Sequence, residues 1–191
     1  MVNSSPKVLI AYGSRFGSTE EISSEISRIL EEKGIETSII NLRNVKSKDW
    51  PSLEAFDGVL IGSGIRIARW TKEARQFLMK NREVLNTKTL GLFVSCADAS
   101  LPGTVDKARK EYLEDVMEEI GIAAGIYDAF GGVFDFTKSS KMSFIEKKML
   151  LTVGKQRAED NISLIKEKER TDLRDWDQIK SFADKYAELV E

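Results

Sequence analysis

Short apolar runs alternate with segments of helical periodicity along most of this sequence. Runs rich in apolar or branched residues predict five strands, over 7–11, 35–42, 56–61, 90–96 and 125–136, and the periodic segments predict helices over 18–33, 71–85, 104–120 and 175–190. Strands that alternate with helices favour right-handed crossovers, so they predict a parallel sheet with helices on both faces. Gly131 and Gly132 interrupt the fifth strand, which indicates a bulge or a break where another segment packs.

A single domain spanning residues 1–191 is the expected organisation, because 191 residues fit one hydrophobic core. No apolar run approaches the roughly 18–20 residues that cross a bilayer, and residues 1–6 lack the regions of a signal peptide. The expected location is therefore the cytoplasm.

Two rare residue types exclude several chemistries. The chain has no histidine and a single cysteine, Cys96, so Ser-His and Cys-His nucleophilic pairs, a cysteine-rich metal site and an iron–sulfur cluster are all excluded. Its 29 basic and 31 acidic residues nearly balance, which argues against a nucleic-acid partner. In an enzyme of this composition, carboxylates or a bound cofactor must carry the chemistry.

The stretch AYGSRFGSTEE, residues 11–21, joins the first predicted strand to the first predicted helix. Its hydroxyl residues Ser14, Ser18 and Thr19, together with backbone N–H groups, can surround a phosphate at the helix N-terminus. A purely structural alternative exists, because Ser18 and Glu21 have the spacing of a capping box. Ligands of such sheets bind at the carboxyl ends of the strands, where three loops are predicted, over 14–19, 63–70 and 95–103.

Two common phosphate-binding motifs are missing. The sequence contains no G-x-x-x-x-G-K-[ST], so a nucleoside triphosphatase is disfavoured. Gly13 and Gly17 do not have the spacing of G-x-G-x-x-G, and the second predicted strand ends in Asn41-Leu42-Arg43 without an acidic residue. A dinucleotide-binding dehydrogenase is therefore disfavoured as well.

The segment Tyr12-Gly13-Ser14-Arg15-Phe16-Gly17-Ser18-Thr19 resembles the phosphate loop of flavodoxins, an aromatic residue followed by x-[ST]-x-x-[AGC]-x-T. Ala11 and Ser23 depart from the usual residues of that pattern, but neither is one of its phosphate-binding groups. The resemblance implies a flavodoxin-like three-layer α/β fold, with a five-stranded parallel sheet in the order 2-1-3-4-5. It also implies FMN as the cofactor.

Three further segments are similar to one branch of flavodoxin-like proteins, the menaquinone-dependent protoporphyrinogen oxidases. They are Ile61-Gly62-Ser63-Gly64-Ile65-Arg66, a basic insert after the fifth strand, and Asp175-Trp176-Asp177-Gln178 at the start of the last helix. This resemblance alone suggests protoporphyrinogen as a substrate, because no residue pattern in the chain identifies a porphyrin.

The resemblance implies a set of cofactor-binding residues in the three loops and no catalytic side chain, because the flavin carries the electron chemistry. The phosphate would be bound by Ser14, Arg15, Phe16, Gly17, Ser18 and Thr19. One side of the ring would be bordered by Ser63, Gly64, Ile65, Arg66, Ile67 and Trp70, and the other by Ser95, Cys96, Ala97 and Asp98. Three of these residues have plainer interpretations: Trp70 as a cover over a helix start, Arg66 as a solvated cation, and Cys96 as a small buried apolar residue.

Residues 138–157 form a basic insert that an ordinary flavodoxin does not predict. This segment has six basic residues and one acidic residue, and Met142, Ile145, Met149 and Val153 fall on one helical stripe. A basic amphipathic helix can lie on an anionic membrane or cover a hydrophobic substrate. Alternatively, the stripe packs on the domain and the lysines face water.

The predicted function is an FMN-dependent oxidoreductase that passes electrons from an organic substrate to a quinone or a similar acceptor. The insert would then place the protein peripherally at the inner membrane face. The alternative is a flavodoxin-type carrier between redox proteins; such carriers are usually strongly acidic, and a net charge of −2 fits that poorly. A flavodoxin-shaped module without cofactor is a third interpretation, which the intact phosphate loop argues against.

Overall fold

The computed structural model describes residues 5–101, 103–140, 142–143, 145, 147–148 and 168–191. Five parallel strands form the central sheet in the order β2-β1-β3-β4-β5. They are β1 (Lys7–Gly13), β2 (Glu36–Asn41), β3 (Gly58–Gly64), β4 (Thr89–Ser95) and β5 (Ile126–Phe130). Both the sheet and the strand order match the prediction.

Helices cover both faces of the sheet. The helices in chain order are α1 (Ser18–Glu32), α2 (Lys72–Lys80), α3 (Arg82–Leu85), α4 (Val105–Arg109), α5 (Asp115–Ile120) and α6 (Trp176–Val190). The sheet separates two hydrophobic cores, and alternate side chains of each strand belong to different cores. Val8 and Ile10 of β1 pack with α1 and α6, whereas Leu9 and Ala11 pack with the helices of the other face. This alternation is what a strand buried on both faces requires.

Helix α1 ends at Glu32, one residue before the predicted end, and Gly34 follows its C-cap residue Lys33. Gly34 has a φ of +82°, its N–H donates to Glu31 O, and the N–H of Ile35 donates to Leu30 O. These two bonds form a Schellman motif, which favours glycine because the left-handed conformation strains other residues.

The helix predicted over 71–85 is instead two helices, α2 and α3. Between them, Asn81 has φ −106° and ψ 12°, and its side-chain amide donates to Phe77 O at 2.9 Å. An asparagine side chain that competes for a backbone carbonyl interrupts the regular helical pattern.

The helix predicted over 104–120 is continuous from α4 to α5, but the segment between them, Lys110–Glu114, has π-helical rather than α-helical geometry. A π turn places one more residue in a turn than an α-helix does, and such turns are frequent at functional sites. Hydrophobic periodicity does not distinguish a π turn from an α-helical turn, so the prediction did not include it.

The fifth predicted strand is broken at Gly131-Gly132, as the two glycines indicate. Residues before the break form β5, and those after it form β6 (Val133–Asp135), which pairs antiparallel with β7 (Arg170–Asp172) in a separate ribbon. The segment that packs at the break contains Leu173, whose N–H donates to Gly132 O at 3.1 Å.

The predicted basic insert, 138–157, lies largely outside the described residues, including Lys141, Met149, Val153, Lys155 and Arg157. Of its described side chains, Met142 is buried and Ile145 is 78% exposed. In the described part of the chain, no helix has the length and hydropathy that a bilayer span needs.

Candidate functional site

The loop between β1 and α1 leaves the start of α1 without a side-chain cap. Gly17 is the N-cap residue, with φ +104° and ψ −19°, and its own N–H donates to Ser14 Oγ at 3.1 Å. The capping box is absent: Ser18 is the first helical residue, and Glu21 binds Arg170 and Arg174 instead. A bound anion at this end of α1 would therefore be stabilised by the N–H groups of the first turn and by the helix dipole.

Two arginines near this loop have different roles. The side chain of Arg15 is exposed. By contrast, the Nη1 group of Arg43 donates to Ser14 O at 3.0 Å. Arg43 follows β2, which pairs with β1 in parallel register up to Tyr12 and Asn41, so its place next to the first loop follows from the strand order. The sequence prediction included Arg15 and did not include Arg43.

The second loop begins at the end of β3, because Ser63 and Gly64 belong to that strand. Ser63 is fully buried, and its Oγ accepts the N–H of Thr71 at 2.9 Å, which ties the two ends of the loop together. The N–H of Ile65 donates to Ser95 O at 2.9 Å. The second loop is thus hydrogen-bonded to the end of β4.

The tip of the second loop is a strained two-residue turn. Arg66 and Arg69 exchange both backbone hydrogen bonds, at 3.0 and 3.1 Å, while Ile67 and Ala68 between them have φ values of +50° and +53°. Turns with two positive φ values normally contain asparagine or glycine. Ile67 is 69% exposed, so this turn presents an apolar side chain at the edge of the site.

Trp70 lies beneath the second loop rather than on its open side. The side chain is 7% exposed, and its Nε1–H donates to the carbonyl of Tyr112 at 2.6 Å. This geometry favours the interpretation of Trp70 as a packing residue.

The third loop starts at Ser95, the last residue of β4. The hydroxyl of Ser95 donates to Gly131 O at 3.1 Å and lies 2.9 Å from Ser18 Oγ. Cys96 is buried, its N–H donates to Phe130 O at 3.0 Å, and Ala97 beside it is exposed. The first and third loops are therefore in direct contact through two hydroxyl groups.

Tyr112, in the π-helical turn, contacts residues of both the second and the third loop. Its carbonyl accepts the indole N–H of Trp70, and its hydroxyl donates to Asp98 Oδ2 at 2.7 Å. Burial and the neighbouring Asp98 carboxylate raise the pKa of the Tyr112 hydroxyl, so it stays protonated and remains a donor. The sequence places Tyr112 within the helix predicted over 104–120 and does not identify it as a site residue.

The D-W-D-Q segment, similar to that of the oxidase branch, has structural roles at the start of α6. The Asp175 carboxylate caps α6 by accepting the N–H groups of Asp177 and Gln178, both at 3.0 Å. The side-chain amide of Gln178 donates to Asp128 Oδ2 on β5 at 3.0 Å, and the ring of Trp176 lies under the guanidinium of Arg174.

The predicted site residues come together at the carboxyl edge of β1, β3 and β4. Contacts between Ser18 and Ser95, and between Ile65 and Ser95, join all three loops, and a Cβ built on Gly64 would lie 3.2 Å from Thr19 Oγ1. The donors of the first loop fit a terminal phosphate, and the exposed Ile67 and Ala97 offer apolar surface for a planar ring. These features fit FMN.

A groove of about 680 Å³ adjoins the first loop on the outer side of α1. Its walls include Phe16 and Gly17 from the loop, Glu20 and Glu21 from α1, and Trp176 from α6. No residue of the second or third loop lines it, so the groove is distinct from the space that those loops border.

Cys96 in the folded apoprotein is expected to react very slowly with a thiol reagent such as DTNB at pH 8. Burial raises the pKa of the Cys96 thiol to about 12, so almost none of it is the reactive thiolate at that pH. In guanidinium chloride, the single thiol should react fully in one fast phase. Equal rates in the native and unfolded protein would contradict the buried, inert thiol.

The flavodoxin-domain family model matches residues 9–163 of this chain. Among curated proteins, the protoporphyrinogen IX dehydrogenase [quinone] of Escherichia coli K12 is 29% identical over 109 residues, which are 54% of this chain and 59% of that protein. The chain thus spans less than two thirds of the length of that relative.

Solved structures with the same fold include two flavodoxins. A flavodoxin from the domain Archaea has a TM-score of 0.54 at 16% identity, with 96% of this chain and 98% of that chain covered. The flavodoxin of Streptococcus pneumoniae TIGR4 has a TM-score of 0.52 at 14% identity, with 96% and 97% covered. At these identities the likeness establishes the fold.

Proposed function

Because this chain belongs to the flavodoxin family, whose cofactor is FMN, we propose that it is an FMN-dependent oxidoreductase that passes electrons from an organic substrate to a quinone or a similar acceptor. The observation that carries this proposal is the meeting of three loops at one sheet edge, around an uncapped helix N-terminus. Protoporphyrinogen IX is the proposed substrate, and its support is the similarity to the Escherichia coli dehydrogenase.

The first loop is proposed to hold the FMN phosphate. The donors are the N–H groups at the start of α1 and the hydroxyls of Ser14 and Thr19, while Arg15, Phe16 and Ser18 complete the loop. The guanidinium of Arg43 donates to Ser14 O at 3.0 Å. A carbonyl oxygen would repel an anion, and this bond directs the Ser14 oxygen toward the guanidinium instead. Gly17 allows the chain to reverse direction here because its φ is positive.

The second and third loops are proposed to border the flavin ring from opposite sides. The ring would meet Gly64, Ile65, Arg66 and Ile67 on one side, and Ser95, Ala97 and Asp98 on the other. Ser63, Trp70 and Cys96 are buried and would support these loops from beneath. FMN supplies the electron transfer when bound, while the residues orient it and exclude water from one face.

The residues around Asp98 would set the charge near the ring. The Tyr112 hydroxyl donates to Asp98 Oδ2 at 2.7 Å, and this bond holds the Asp98 side chain in place at the third loop. A negative charge held beside a flavin disfavours further negative charge on the ring, because like charges repel in a site of low dielectric. Tyr112 and Asp98 are therefore proposed to tune the cofactor's electron affinity.

A peripheral membrane contact through residues 138–157 is part of the proposal, because quinones reside in membranes. Its support is the basic, amphipathic character of that segment and the 78% exposure of Ile145. An anionic surface attracts clustered lysines, and apolar side chains on the same face add to the binding.

Purified protein is expected to be yellow, with flavin absorbance that is released on denaturation and identified as FMN. Under anaerobic conditions, protoporphyrinogen IX should reduce the bound flavin, and a menaquinone analogue should reoxidise it. These steps are followed by flavin absorbance in a stopped-flow instrument. Riboflavin serves as the control ligand, because it has the same ring without the phosphate.

Each outcome of this experiment has a distinct meaning. A colourless protein that does not take up added FMN would contradict the cofactor site itself. Bound FMN that exchanges electrons rapidly with ferredoxin but with neither the porphyrinogen nor the quinone analogue would show a carrier between redox proteins instead.

A further inference from the structure

Arg174 is a buried cation next to the first turn of α1. Its side chain is 1% exposed, and it lies between β7 and α6 at the level of the first loop. The guanidinium donates to both oxygens of Asp172 at 2.8 and 2.5 Å, to Glu21 Oε2 at 2.5 Å, and to the carbonyl of Ser18 at 3.3 Å. Its Cζ lies over the Trp176 ring, 4.4 Å from the ring centre.

Glu21 lies in the first turn of α1, close to where the phosphate is proposed to bind. Burial alone raises the pKa of Glu21, but the hydrogen bonds and charges of Arg174 and Arg170 outweigh it, so the pKa is lowered. Asp172 follows the same pattern: burial raises its pKa, and the bonds from Arg174 more than compensate. Both carboxylates are ionised at neutral pH, and each would repel a phosphate dianion if it were not neutralised.

The contact between Arg174 and the Ser18 carbonyl joins residues that are 156 positions apart. Ser18 is the first residue of α1, so this bond fixes the orientation of the peptide group between Ser18 and Thr19. The neighbouring peptide groups present their N–H groups to the first loop. A guanidinium suits this task, because its planar set of five donors can bind two carboxylates and a carbonyl at once.

We propose that Arg174 is a positioning residue for the phosphate of FMN, which holds the first turn of α1 in place and, together with Arg170, cancels the charge of Glu21 beside it. The proposal rests on the proposed function, because it takes the first loop as the phosphate site. It assigns a role in cofactor selectivity to a residue outside all three loops.

The test compares the affinities of the apoprotein for FMN and for riboflavin, measured by quenching of flavin fluorescence. An Arg174→Gln variant is expected to bind FMN about tenfold more weakly, because Asp172 loses its buried partner and Glu21 keeps only Arg170, so more negative charge opposes the phosphate at the helix N-terminus. Its affinity for riboflavin should change less than about twofold. Arg174→Lys, which keeps the charge but not the planar donors, should recover part of the loss.

A Glu21→Gln variant tests the charge argument without removing the buried cation. Glu21 is half-exposed, so this variant is expected to fold, and it should bind FMN about threefold more tightly than the wild type. The double variant Glu21→Gln/Arg174→Gln should regain most of the FMN affinity lost in Arg174→Gln. Arg28→Gln is the matched control: Arg28 lies on α1 further from the first turn, pairs with Glu25 and Glu32, and should leave both affinities unchanged.

The proposal is overturned if Arg174→Gln weakens FMN and riboflavin equally, or if Glu21→Gln leaves the affinity for FMN unchanged. Either result would make Arg174 a structural ion-pair residue only. If the wild-type apoprotein binds neither flavin, the proposed function itself fails, which is a different result from equal losses in the variants.

Discussion

A Gly17→Ala variant is expected to bind FMN about 30-fold more weakly than the wild-type protein. Gly17 has a φ of +104°, and no atom lies within 4 Å of the position that an added Cβ would take, so the effect is conformational rather than steric. Strain of this kind costs about 2 kcal/mol, which corresponds to about 30-fold in affinity. The free loop would relax to another conformation, and FMN would have to restore the original one. Titration of the apoprotein followed by flavin fluorescence measures the loss.

Gly34→Ala is the matched control for this prediction. Gly34 has a φ of +82° and open space around its Cβ position, but it lies at the opposite end of α1. Its substitution should lower the free energy of unfolding by about 1 kcal/mol and leave the affinity for FMN within about twofold. A loss of FMN affinity as large as that of Gly17→Ala would show that the effect comes from α1 as a whole and not from the loop.

A Gly131→Ala variant is expected to lose about 3 kcal/mol of stability, because the added methyl group meets backbone atoms that cannot move away. The new Cβ would lie 2.1 Å from Leu173 O and 2.9 Å from Leu173 C. The N–H of Leu173 is bonded to Gly132 O, and Ser95 Oγ is bonded to Gly131 O, so hydrogen bonds hold this region in place. The midpoint of thermal unfolding should fall by about 6–12 °C, as measured by circular dichroism.

Gly132→Ala provides a comparison at the adjacent residue. Its nearest non-neighbouring atom would be Cys96 O at 3.6 Å, an ordinary contact, so the loss should stay below about 1 kcal/mol. If the two variants are equally stable, the close approach of Leu173 does not constrain the strand break.

The positions of the strands and the first loop could be predicted from the sequence because both depend on local patterns, whereas the strand order came from the resemblance to flavodoxins. Apolar runs identify buried strands wherever they occur, and the hydroxyl residues of the first loop are consecutive with the strand and helix that they join. The end of α1 is fixed by bonds from Gly34 and Ile35 to residues three and five positions before each of them, respectively, which is again local information. The break at Gly131-Gly132 was also visible, although the residue that packs there was not.

Residues that support the site through distant contacts could not be predicted in the same way. Arg43 reaches a carbonyl 29 residues earlier, and Arg174 reaches one 156 residues earlier. Each looks like an ordinary surface cation in the sequence, because only the tertiary structure places it next to the first loop. Ser18 and Glu21 show the converse error: their spacing fits a capping box, but Gly17 is the N-cap residue and Glu21 binds Arg170 and Arg174.

The π-helical turn at Lys110–Glu114 is geometrically equivalent to a one-residue insertion in a continuous α-helix. Each residue of an α-helix turns the chain by about 100°, and a π turn accommodates one extra residue by turning less per residue. Deleting a single residue here should therefore give a regular α-helix that keeps Val116 and Ile120 of α5 in the core. The loss would be local, because the turn carries Tyr112, whose carbonyl accepts the indole N–H of Trp70 and whose hydroxyl donates to Asp98.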